Sequence, residues 1–165
     1  MSEASAVTRN ESSFKLVHGD GAVDQAKSFA ELAVACCDFE CRQATAMVVW
    51  ELAENLLKYG ASDATAGAGT IAISVVDNWV RVRTTSSVHS AHDARHVQET
   101  VSRISNAASA SDLYRERLGE LFDDPSQRRV QLGLLRIAVE GGFALSCRFE
   151  APHLEIVAER RCTRQ

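Results

Sequence analysis

Hydrophobic and polar positions change period several times along the chain, and each change marks an element. Residues 13–18 (S-F-K-L-V-H) set Phe14, Leu16 and His18 against Lys15 and Val17. That alternation predicts a short strand, closed by the Gly19-Asp20-Gly21 turn. From Ala22, the residues Val23, Ala26, Phe29, Ala30, Ala33 and Val34 recur near the helical period, predicting a helix to about Cys37. The strongest helical stretch covers 40–59. It is rich in Ala, Leu, Glu and Met and lacks Gly and Pro, and Ala44, Met47, Val48, Leu52, Asn55 and Leu56 share roughly one face. Gly60 follows where a helix C′ glycine belongs, and the small residues of 61–69 predict a loop.

Residues 70–76 and 79–85 are rich in β-formers and flank Asp77-Asn78, a hairpin signal. Val80 and Val82 alternate with Arg81 and Arg83, as in a sheet with one wet face. Helical spacing returns over 91–108 (Val97, Val101, Ile104), 112–122 (Leu113, Leu118, Leu121) and 130–140, the last ended by Gly141-Gly142. A charged turn around Pro125 is expected over 123–129. Residues 143–149 and 154–158 predict two final strands, with Ala151-Pro152 as the turn. Helices and hairpins are segregated, so the expected class is α+β, with helices on one face of a mixed, mostly antiparallel sheet. The expected division is a polar tail over 1–12, one domain over 13–160 and a short tail over 161–165.

Composition narrows the function classes. The 165 residues are 45% hydrophobic and 24% charged, the balance of a globular domain with a real core. No apolar run approaches the length that spans a bilayer, and residues 1–13 lack an apolar signal core. A net charge of −4 offers no general field for nucleic acid, and the local basic groups Arg128, Arg129, Arg136, Arg160, Arg161 and Arg164 are few. The cysteines Cys36, Cys37, Cys41, Cys147 and Cys162 are odd in number and contain no C-x-x-C, which points to a reducing cytoplasm. Cys37 and Cys41, four apart, read as buried cysteines on a helix. His92 and His96 have the spacing of a zinc pair, with His89 nearby; without an obvious third ligand they read as surface histidines.

The stretch Glu51-Leu52-Ala53-Glu54-Asn55-Leu56-Leu57-Lys58-Tyr59-Gly60 carries the sharpest chemistry. Glu51 and Asn55 share a helix face, and Lys58 neighbours Asn55. Taken by themselves, these residues also fit the polar edge of an amphipathic helix. The stretch resembles the N-box of the GHKL superfamily of Bergerat-fold ATPases, which reads N-A-x-K-Y in histidine kinases and E-x-x-x-N in anti-sigma-factor kinases. Both spacings occur here. The resemblance implies a Bergerat-like two-layer sandwich that binds ATP and Mg²⁺. Asn55 would help hold the metal, Glu51 would be the catalytic base or water-orienting carboxylate, and Lys58 and Tyr59 would face the phosphates. About 75 residues later, Gln131-Leu132-Gly133-Leu134-Leu135-Arg136-Ile137-Ala138 resembles the family's G-L-G-L-x-I box. That implies phosphate contacts from Gly133 and Leu134 at a helix start.

The family's D-x-G-x-G box is missing. Its place reads Thr84-Thr85-Ser86-Ser87-Val88-His89, and neither Asp77 nor Asp93 replaces its aspartate convincingly. A helical segment stands over 91–129, where histidine kinases have a lid. This altered pattern, with the closing Leu134-Leu135-Arg136-Ile137-Ala138-Val139-Glu140-Gly141, resembles the SiaB-type branch of partner-switching regulators. The likeness covers about residues 13–158. It implies a serine/threonine protein kinase acting on an anti-sigma-antagonist-like or response-regulator-like partner. The alternative is a nucleotide-independent pseudokinase that acts by binding such a protein. Nucleic acid and membrane are not expected, and a homodimer is compatible with the sequence.

Overall fold

A computed structural model describes residues 11–61, 67–123 and 130–163. Arg128, Arg129 and Arg164, residues 124–129 of the charged turn expected over 123–129 and most of the expected N-terminal tail lie outside the described residues. In chain order the elements are β1 (Glu11–Leu16), α1 (Ala22–Ala33), α2 (Phe39–Tyr59), β2 (Gly69–Val76), β3 (Trp79–Ser87), α3 (Ala91–Asn106), α4 (Ala110–Asp123), α5 (Val130–Val139), β4 (Ala144–Glu150) and β5 (His153–Arg161). This is the expected α+β succession.

The strands form one sheet in the order β1-β2-β3-β5-β4. Every described pairing is antiparallel, so the expected parallel admixture is absent from it. The two tight hairpins and the long return through α3, α4 and α5 reverse direction at each neighbouring pair. At the β2–β3 turn, Asp77 and Asn78 both have positive φ, 49° and 63°. That is the turn geometry whose twist matches a two-residue hairpin, and Asn and Asp tolerate it better than most residues.

Alternation on β3 sends Val80, Val82, Thr84 and Ser86 inward; on β5, Leu154, Ile156 and Ala158 face the same way. The helices cover this side: α1 packs on β1 and β2, α2 on β2 and β3, and α3 and α5 on β4. One core joins Leu16, Val48, Leu52, Ile73, Val82, Ile137, Phe143 and Ile156 between the two layers. The other side of the sheet is wet. Arg81 pairs with Glu159 at 2.5 Å and Arg83 with Glu11 at 2.7 Å, exposed bridges each worth less than about 1 kcal/mol. Among the described residues no helix is long and apolar enough to cross a membrane.

Two local expectations are corrected. The first helix stops at Ala33, short of Cys37. The chain turns over 34–36, with Cys37 N–H donating to Val34 O at 2.9 Å, and Cys37 enters the core ahead of the next helix. Asp38 then caps α2, its carboxylate accepting from Cys41 N–H at 2.8 Å. At the far end, Gly60 is not a left-handed C′ glycine, since its φ is −64°. Its need is space: a Cβ there would lie 2.3 Å from Ala68 O. Glycine at this point lets the chain leaving α2 pass against the start of β2.

Candidate functional site

The helix α2 runs across the inner face of the sheet, and its one-turn periodicity decides what each polar residue meets. Glu51 points toward α5 and is only 8% exposed. Asn55, one turn on, stands with Leu52, Leu56 and Tyr59 on the wall of a cavity of about 20 Å³. The opposite wall is Thr84, Ser86, Leu154 and Ile156 from the sheet; Val97 of α3 and Leu134 of α5 close it. The structure thus brings together Asn55, Tyr59 and Leu134 from the expected site. Thr84 and Ser86 share the inward phase of Val80 and Val82, and that alternation is the sequence signal that places them on the cavity.

Glu51 is committed elsewhere. Its Oε1 accepts a hydrogen bond from Arg136 Nη1, an ion pair between α2 and α5. Arg136 Nε also reaches Glu140 Oε2 at 3.2 Å, and Tyr114 O–H of α4 donates to Glu140 Oε1. One chain of contacts therefore ties α2, α5 and α4. Burial pushes the Glu51 carboxyl above its ordinary range, and Arg136 opposes that rise. The hydrogen bond to Glu140 raises the Tyr114 phenol.

Gly133 is part of the same arrangement. A Cβ at this position would lie 2.6 Å from Glu51 Oε2, so glycine lets α5 approach the carboxylate. Gly133→Ala is expected to cost about 1–2 kcal/mol by displacing the paired carboxylate. Urea unfolding of the variant checks this, and an unchanged midpoint would show that Glu51 moves aside freely.

The remaining candidates lie outside this cluster. Lys58 is exposed, its Nζ 5.3 Å from the Tyr59 ring centroid. His89, His92 and His96 are all exposed, and among the described residues they join no group of three candidate metal ligands. The side chain of Gln131 lies outside the described residues.

As arranged, the described residues around Asn55 do not by themselves form a Mg²⁺-ATP site. Among the described residues the cavity beside Asn55 is about 20 Å³, room for about one ordered water. Among the described residues its polar wall offers two hydroxyls and an amide but no carboxylate for an adenine amino group. Thr84 Oγ1 already faces Ile156 O at 3.5 Å. Glu51, the carboxylate one turn before Asn55, is held by Arg136.

No family model and no curated protein matches the chain. Among solved structures, a chain in the crystal structure of the SiaB-SiaC complex from Pseudomonas aeruginosa has the same fold, with a TM-score of 0.65 over 92% of this chain and 89% of that one. Sequence identity is 18%, so the likeness is one of fold. The protein is an α+β two-layer sandwich similar to a chain of that complex, and its GHKL resemblance rests on the motif residues alone.

Proposed function

We propose that this chain is a cytoplasmic signalling regulator of the partner-switching kind, acting by binding a regulatory protein and independently of nucleotide. The observation that carries this reading is the state of Glu51. The residue expected to serve as base is buried, paired with Arg136 and packed on Gly133, beside a narrow cavity. In that role Glu51 and Arg136 act as a brace between helices α2 and α5. The fold likeness to a chain crystallised in a two-protein complex supports a protein partner. The partner class is an anti-sigma-antagonist-like or response-regulator-like protein.

A second reading keeps the kinase. It is favoured by Asn55, Thr84 and Ser86 meeting on one cavity, three polar groups able to take the edge of a base if the helices part. Calorimetric titration with a non-hydrolysable ATP analogue and Mg²⁺ separates the two. The expected result is no binding at millimolar analogue and no shift in melting temperature. The partner, isolated by affinity purification and then made pure, should form the same complex with and without Mg²⁺-ATP. Magnesium-dependent nucleotide binding that Asn55→Ala abolishes would replace the proposal with the kinase.

A further inference from the structure

Sequence spacing pairs Cys37 with Cys41, and the fold adds a third cysteine from the other end of the chain. Cys162 follows β5, whose last pairing sets Arg161 against Trp79. Its N–H donates to Asn78 O at 2.8 Å. The next residue is latched to the start of α2: Thr163 N–H donates to Asp38 Oδ2 at 3.0 Å, and Asp38 N–H donates to Thr163 O at 2.9 Å. The three sulfurs of Cys37, Cys41 and Cys162 all lie within 4.8 Å of one another. The residues are 0%, 1% and 8% exposed.

From this geometry we propose that Cys37, Cys41 and Cys162 form a three-thiolate site for a monovalent soft cation, cuprous ion. Metal–thiolate bonds of about 2.3 Å place sulfurs about 3.8–4.0 Å apart, so closing the site takes shifts of less than about 1 Å. Thiolate donors select soft ions such as Cu(I) and Zn(II). Zinc wants a fourth ligand, and none is offered among the described residues. Asp38, next to Cys37 in the chain, is spent on two backbone N–H groups. The Thr45 hydroxyl donates to Cys41 O at 2.8 Å. A dry trio of sulfurs suits an ion content with three. The negative charge it gathers has two neighbours of opposite sign. Cys37 and Cys41 flank the cap of the 21-residue α2, at its positive end. Arg160 adds a guanidinium, held by Gly141 O at 2.8 Å and Glu40 at 2.5 Å. Without a cation, burial and the neighbouring sulfurs hold Cys37 as a thiol. The ion would displace three protons and clip the C-terminal end of β5 to the α1–α2 corner.

The test uses the reduced, full-length protein under nitrogen, titrated with Cu(I) against a coloured Cu(I) chelator. One equivalent should be taken from the chelator, and X-ray absorption of the loaded protein should show three sulfurs and no nitrogen or oxygen. Cys162→Ser should lose at least about tenfold in affinity, which is about 1.4 kcal/mol. Cys36→Ser, at the exposed neighbour, and Cys147→Ser, on β4, should bind as the parent does. The loaded parent should also melt at a higher temperature. The proposal is overturned if the parent takes no stoichiometric copper, if absorption shows fewer than three sulfurs, or if Zn(II) binds with a fourth ligand and Cu(I) does not. Because absorption is read on the parent, the result stands even if a variant fails to fold.

Discussion

Arg136→Leu is expected to lose about 2–3 kcal/mol of stability at neutral pH and to regain much of it in acid. Removing one partner of a buried pair costs about 3–5 kcal/mol, because the remaining charge has nothing to offset its desolvation. The lower figure applies here because the Arg136 side chain is 37% exposed, so water already screens part of the attraction. Glu51 has no such exit, being 10% exposed at its side chain. The pH dependence follows from the sign of its shift. Burial raises the Glu51 carboxyl in the folded state, so the folded chain holds a proton that the unfolded chain has released. Stability from this group falls as pH rises from the ordinary carboxylate range through the raised value, and is flat above it. Loss of Arg136 removes the main opposing influence and widens that window. Urea unfolding of parent and variant at mildly acid and mildly alkaline pH measures the difference. Glu51→Gln should cost less than about 1 kcal/mol, since Arg136 keeps Glu140 and solvent. The double variant should recover much of the loss of Arg136→Leu. A pH-independent loss, or equal losses in the two single variants, would show that Glu51 is not a buried charge dependent on Arg136.

Leu134→Ala should have the larger effect, a loss of about 2–5 kcal/mol. Leu134 is 1% exposed and closes the cavity lined by Asn55, Thr84 and Ser86. Truncation removes apolar area from the core and enlarges a space of about 20 Å³ that its rigid walls, α2 and the sheet, keep open. The measurement is again urea unfolding, with the slope checked for two-state behaviour. The same variant bears on nucleotide binding. With room made, an ATP analogue should still fail to bind, because the described polar wall lacks a carboxylate for the adenine amino group. Binding gained by Leu134→Ala would show that side-chain volume alone keeps nucleotide out, and would favour the kinase reading.

Much of the architecture is legible in local pattern. The period-two runs, the Asp77-Asn78 turn and the 40–59 stretch became β2, β3 and α2 with ends within two residues of expectation. Short-range backbone preference and burial of one face decide such features. The expected site residues were harder to place. Asn55 and Leu134 do meet, yet Glu51 turned out to face Arg136, 85 residues away in the chain. Its motif spacing says only that it shares a face with Asn55. Which partner that face meets depends on how α5 docks, and Gly133 sets how closely it docks.

Local pattern is enough for the α+β class, the segregation of helices from hairpins and the wet and dry phases of β3. All are properties of neighbours within a few positions, where hydrogen-bonding period and side-chain phase are dictated locally. Tertiary structure alone decided that the Glu51 carboxylate is a buried brace, that the space beside Asn55 is about 20 Å³, and that Cys162 joins Cys37 and Cys41. Those facts depend on the distance between elements far apart in sequence. That distance is set by how all the side chains pack at once, and no local period carries it.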